Sequence, residues 1–141
     1  MNPFFVTDFS ISDSLKTVRK SVLIYETIIE RATTDEILEF LEKAKYLLNN
    51  GKFDFVPRRK NLVSLAQLGI TITDAKNEIF DISLSDYYKG PKDDFDRSRS
   101  GKIWEFKRRI NGMPIYIKLK ITNETGEEIL KCMGFHEDIY N

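Results

Sequence analysis

The chain has 141 residues, enough for one domain with a real hydrophobic core. Hydrophobic residues make up 41% and charged residues 31%, which excludes a disordered polymer; the single cysteine, Cys132, excludes an internal disulfide framework, and one Cys with one His cannot build a four-ligand zinc cage. Net charge is zero, yet from Arg97 to Lys120 eight basic residues are opposed only by Glu105, a local charge of +7 that suits a specific anionic partner.

Residues Met1 to Asp8 carry a short apolar run with no basic lead-in, unlike a secretory leader, and no stretch approaches the roughly 18 apolar residues of a membrane span. A cytoplasmic protein without a membrane partner is expected. Leu15, Val18, Val22, Tyr25, Ile29 and Ala32 recur at three- and four-residue steps, which predicts an amphipathic helix over 12–32, capped by Ser12 or Asp13. Thr33 and Glu36 form a capping-box pattern for a second helix. Its apolar side would be Ile37, Leu38, Leu41, Ala44, Leu47 and Leu48, and Asn50-Gly51 would end it.

Phe53 to Lys60 reads as a connector ending in Arg58-Arg59-Lys60, a run that commonly flanks helices, with contact to a polyanion such as RNA as its second reading. Asn61 would cap a short helix ending at Gly69, and Thr73-Asp74 another through Ile79 or Phe80. Ser83 to Pro91 is rich in turn formers, and Lys92 to Ser100 is a polar loop.

Asn111-Gly112 between two β-like runs predicts a type I′ hairpin, since both residues tolerate positive φ. The two-residue loop pairs Ile110 with Met113, and hence Lys107 with Tyr116, Phe106 with Ile117, Glu105 with Lys118 and Trp104 with Leu119. Ile115, Ile117, Leu119 and Ile121 then share an apolar face with Trp104 and Phe106. After a turn over Asn123 to Glu127, a third strand runs from Ile129 to His136. With Met133 and Phe135 on the core side, Cys132, Gly134 and His136 would face the polar side, His136 beside Tyr116 and Gly134 beside Lys118.

The polar face would therefore hold Glu105, Lys107, Arg109, Tyr116, Lys118, Lys120 and His136. Cations and an aromatic ring suit RNA phosphates and unpaired bases. Metal-free RNA cleavage needs a base for the 2′-hydroxyl proton, an acid for the leaving 5′ oxygen, and cations for the charge on phosphorus. His136, Tyr116 and the lysines match these roles, with Glu105 either a base or the cross-strand partner of Lys118. Each has a plainer reading: His136 as a surface histidine, Tyr116 as a packing tyrosine, and the lysines as a solvated face. A non-catalytic RNA- or protein-binding module is the alternative function. An inhibitor using Asp93, Asp94 and Asp96 is a weaker third reading.

Leu84-Ser85-Asp86-Tyr87-Tyr88-Lys89, Ile103-Trp104, Ile115 to Thr122, and Gly134-Phe135-His136 resemble, in this order, the motifs of the MqsR family of type II toxin–antitoxin mRNA interferases. Leu41 to Gly51 is similar to that family's first helix, and Leu65-Ala66-Gln67-Leu68-Gly69 to its L-x-x-L-G element. The resemblance implies an α+β, RelE-like fold, with N-terminal helices packed on a C-terminal antiparallel β-sheet. It implies a metal-independent endoribonuclease without cofactor, acting on mRNA, restrained by an antitoxin protein, with the ribosome as a further candidate partner.

Carried over by position, Lys89, Tyr116 and His136 take the family's catalytic places. Glu105 stands where the family has glutamine, a departure that adds negative charge near the phosphate. Lys107, Arg109, Lys118 and Lys120 would contact RNA from the sheet, and Arg97, Arg99 and Lys102 from the adjacent loop. Residues 33–141 would form the toxin domain. Residues 1–32 would be an extension packing on it, forming a dimer, or docking on a partner.

Overall fold

The computed structural model describes residues 31–96 and 99–140; the helix expected to begin at Ser12, and Arg97, lie outside the described residues. The chain divides between Arg31 and Ala32, and the architecture below is that of the second unit. It is an α+β fold of three α-helices and one five-stranded sheet in the order β1-β5-β4-β3-β2.

Helix α1 (Thr34–Asn49) starts at the expected capping box: Thr33 Oγ1 accepts from the Glu36 N–H at 3.2 Å, and Glu36 Oε1 accepts from the Thr33 N–H at 2.8 Å. Its buried side is Ile37, Phe40, Leu41, Ala44, Leu47 and Leu48. Leu38, expected there, is exposed, because one step of 100° turns it off the stripe. Phe40 takes that role and stacks on Trp104 at 4.6 Å between centroids.

The expected connector contains strand β1 (Phe53–Phe55), which pairs in parallel with β5 through Phe53 and Leu130. The sheet is therefore mixed rather than wholly antiparallel. Three residues are too short to show the alternation by which a strand is read from sequence. Helix α2 (Arg59–Leu68) begins before Asn61, which is buried inside it instead of capping it. The Asn61 amide donates to the Val56 carbonyl (2.9 Å) and the Met133 carbonyl (3.2 Å), and its oxygen accepts from the Phe135 N–H (2.9 Å). Two of these bonds fasten α2 to β5 and the third ties it to the preceding connector. Helix α3 (Ile72–Phe80) is capped by Thr71 with Asp74, two residues earlier than expected.

After a single 3₁₀ turn (Leu84–Asp86), the stretch expected to be turns forms strand β2 (Tyr87–Lys92). Gly90 and Pro91 masked it, and its pairing with β3 (Ile103–Ile110) is broken by two register shifts. A side chain at Gly90 would meet the Ile103 carbonyl oxygen at 2.6 Å, so the close approach of β2 to β3 requires glycine.

Strands β3 and β4 (Met113–Asn123) form the expected hairpin in the expected register, with Asn111 at φ 51° and Gly112 at φ 81°. Strand β5 (Glu128–Glu137) places His136 opposite Tyr116 and Gly134 opposite Lys118, also as expected. Between Lys118–Gly134 and Leu119–Cys132, however, Met133 is left over as a bulge, and the side-chain alternation resets there. Cys132 consequently lies in the core, not on the polar face, and Met133 lies outside the core cluster. Trp104, Phe106, Ile117, Leu119, Leu130 and Phe135 build one core with the buried sides of all three helices.

Candidate active site

The strand periodicity that buries Phe106, Ile117 and Phe135 sends their neighbours Glu105, Lys107, Tyr116, Lys118 and His136 to the opposite face. That face is not uniformly open. At one end the loop after β2 folds over it: Asp94 ion-pairs with Lys120, whose side chain is only 2% exposed, Asp93 pairs with Lys102, and Asp96 with Arg99. Lys120 is thus a buried structural cation, which corrects its expected role in holding RNA. Lys102 and Arg99 are exposed but engaged with their own loop. Arg109 donates to the Gly112 carbonyl at the hairpin tip. Lys107 pairs with Asp138 at 2.9 Å and lies 3.9 Å from the centre of the Tyr88 ring.

The acidic loop therefore offsets the basic cluster at the Lys120 end and leaves positive charge at the other. There Lys118 has no ion-pair partner among the described residues. Burial lowers its pKa, and the nearby Arg58 and Lys92 lower it further against the opposing pull of Glu105. Arg58 and Lys60, read from the sequence as a common helix flank, come to this site because the Asn61 anchor holds the start of α2 against β5. Lys60 is close enough to disfavour the charged form of His136. The triple-basic run itself carried the signal behind their second reading as an RNA contact, and a short connector returns it to the sheet.

Tyr116 and His136 form the centre, with rings 5.1 Å apart and inclined at 36°. His136 Nδ1 lies 3.2 Å from the Glu137 carbonyl. A carbonyl only accepts, so this contact puts the proton on Nδ1 and leaves the Nε2 lone pair available. Burial lowers the His136 pKa below its ordinary value, with Lys60 and Lys118 acting in the same direction. Tyr116 is shifted up, first by burial and then by the nearby Glu105 carboxylate.

Gly134 makes the space between them. A Cβ there would lie 3.3 Å from Lys118 Cβ, 3.6 Å from His136 Nε2 and 3.6 Å from Tyr116 Cε2. The absent side chain leaves a notch on which a cation-bearing chain, a neutral imidazole nitrogen and a phenol ring converge.

Glu105 is almost fully buried and ion-pairs with Lys92, not with Lys118 directly across from it. Lys89 pairs in register with Glu105, but its ammonium lies 5.1 Å from the Tyr88 ring centre. Lys92, not singled out in the sequence, is the β2 cation that ion-pairs with Glu105.

Among the described residues no group of three or more His, Cys, Asp or Glu side chains is arranged to hold a metal ion, and no helix is long and apolar enough to cross a membrane. Comparison with protein-family models and with curated proteins finds no match for this chain.

Proposed function

We propose that this protein is a metal-independent endoribonuclease of the MqsR type, cleaving mRNA as the toxin of a type II toxin–antitoxin pair. The observation that supports this reading best is the convergence of His136 Nε2, Tyr116 and Lys118 on the notch above Gly134. A phosphate seated there has its 2′-hydroxyl proton taken by neutral His136. The 2′ oxygen then bonds to phosphorus, the bond to the 5′ oxygen breaks, and a 2′,3′-cyclic phosphate forms. The departing 5′ oxygen takes its proton from Tyr116, whose raised pKa keeps the hydroxyl protonated at neutral pH. Lys118, Arg58 and Lys60 stabilise the charge on phosphorus. Glu105 acts through Tyr116 as a positioning residue, since its buried carboxylate is engaged with Lys92.

One observation favours the alternative of a binding module: Lys89, the expected phosphate contact, lies over Tyr88 and does not line the cleft beside His136. The test is cleavage of labelled single-stranded RNA in excess EDTA, alone and in a translation extract, with His136→Gln and Tyr116→Phe in parallel. Fragments that disappear in the variants while RNA binding persists support the nuclease. Intact RNA in both settings, with binding retained, replaces it by the binding module.

A further inference from the structure

Beside the Tyr116–His136 pair lies a cleft of about 710 Å³, within the roughly 300–1,000 Å³ typical of ligand pockets. One wall is α2, with Arg59, Lys60, Val63 and Gln67; the other is the segment after β5, with Ile139 and Tyr140. We infer that this cleft is a nucleobase subsite, holding the unpaired base of a nucleotide next to the scissile phosphate; the inference rests on the RNA-cleaving reading above and names its substrate as single-stranded RNA.

Four features carry it. The cleft opens from the catalytic pair itself, so a chain whose phosphate sits at His136 must send an adjoining base along or into it. Its rim is cationic, as a polyanion requires, with Arg59 and Lys60 outside any ion pair among the described residues. Its walls offer exposed apolar surface from Val63 and Ile139 and the ring of Tyr140, which is 87% exposed. An exposed ring beside apolar side chains is the surface on which unpaired bases stack. Finally, the Gln67 amide makes no hydrogen bond to another described residue, leaving a donor and an acceptor for a base edge.

The outer wall is also held in place. The Asp138 N–H donates to the Pro114 carbonyl at 2.9 Å, its carboxylate pairs with Lys107 at 2.9 Å, and its Oδ1 accepts from the Tyr140 N–H at 3.3 Å. The Tyr140 backbone is thereby tied to the sheet that carries Tyr116, which keeps its ring beside the cleft.

The experiment uses the full chain and a trinucleotide with 2-aminopurine at its centre and 2′-fluorine throughout, which removes the nucleophile and separates binding from cleavage. Stacking quenches 2-aminopurine, so wild-type protein should give saturable quenching. Tyr140→Ala should abolish the quench and weaken Kd by at least about fivefold, the low end of measured base–aromatic stacking. Tyr140→Phe should restore both, and Gln67→Ala should level affinities among trinucleotides differing in the central base. Binding without quenching, or a quench unchanged in Tyr140→Ala, overturns the subsite while leaving the nuclease standing. Failure to bind the trinucleotide, together with failure to cleave RNA, overturns both.

Discussion

Tyr116 and His136 are direct register partners on β4 and β5, and their rings lie 5.1 Å apart at the mouth of a cleft. Neither position is special by local sequence. The pair exists because a hairpin of fixed register on one side of β4 and a bulged antiparallel pairing on the other bring two polar-face positions together. Every chemical expectation below depends on that pairing and on the glycine beside it.

Gly134→Ala places a methyl in the notch. Its contact with Lys118 Cβ, at 3.3 Å, is tight but asks only a small adjustment. Removing a glycine from an extended strand offsets that crowding by about 0.4–1 kcal/mol through the unfolded chain. Thermal melting should therefore move by no more than a few degrees. RNA cleavage, measured under the conditions above, should fall at least about tenfold, because the methyl occupies the space in which the proposed mechanism seats the phosphate; a tenfold loss corresponds to about 1.4 kcal/mol of transition-state binding.

The His136 shift gives a pH signature in both stability and rate. Its folded pKa lies below the ordinary 6.5, so the unfolded chain binds the proton more readily. The sign follows: stability is full above pH 6.5 and declines as pH falls through the folded value. Melting temperatures of wild type should therefore drop between pH 7.5 and 5, and His136→Gln should remove that part of the drop. Cleavage should show an acid limb with its midpoint below pH 6.5, because the proposed mechanism uses the neutral imidazole as its base. A midpoint above 6.5 would rule out this role.

Lys120 and Lys118 are two residues apart and should behave oppositely. Lys120→Met leaves Asp94 unpaired at a nearly closed site, and breaking such a pair costs about 3 kcal/mol. Urea denaturation should show that loss, while RNA affinity of the folded fraction stays near wild type. Lys118→Met, at an unpaired cation beside the notch, should leave the urea midpoint almost unchanged and reduce RNA affinity. It should also lower the slope of log Kd against log salt by up to about one unit, as for one phosphate contact.

Asn61→Ala removes three hydrogen bonds, two of them buried, between α2, the preceding connector and β5. Each abandoned buried group costs about 1–3 kcal/mol, so a loss of about 3 kcal/mol or more is expected in denaturant titrations. Backbone amides of Phe135 and of the first turn of α2 should also exchange with solvent faster, which hydrogen exchange would read directly. Asn61→Asp keeps the acceptor for the Phe135 N–H but sets a carboxylate against two carbonyls, and should be no more stable than the alanine variant.

The hairpin was legible because turn chemistry and hydrophobic alternation agree: Asn111-Gly112 demands two positive φ values, and only one register then puts Trp104 and Phe106 with Ile117 and Leu119. The capping box at Thr33 was legible for the same reason, a local rule satisfied by residues three apart. Phe53–Phe55 and Tyr87–Lys92 were not, because three residues carry no period and Gly90-Pro91 reads as a turn until a neighbouring strand supplies the partner.

The sequence by itself determined the α+β layering and the β3–β4 register, since these follow from periodicity and turn geometry within short spans; the expected meeting of Tyr116 with His136 also needs the bulge at Met133. Only the tertiary structure decided which charges remain available. It spent Lys120, Lys102 and Arg99 on the acidic loop, brought Arg58 and Lys60 to the site through the Asn61 anchor, moved Cys132 into the core at the Met133 bulge, and opened the notch at Gly134. Those outcomes depend on contacts between residues far apart in the chain, and a charge or a glycine in sequence does not show what will fold against it.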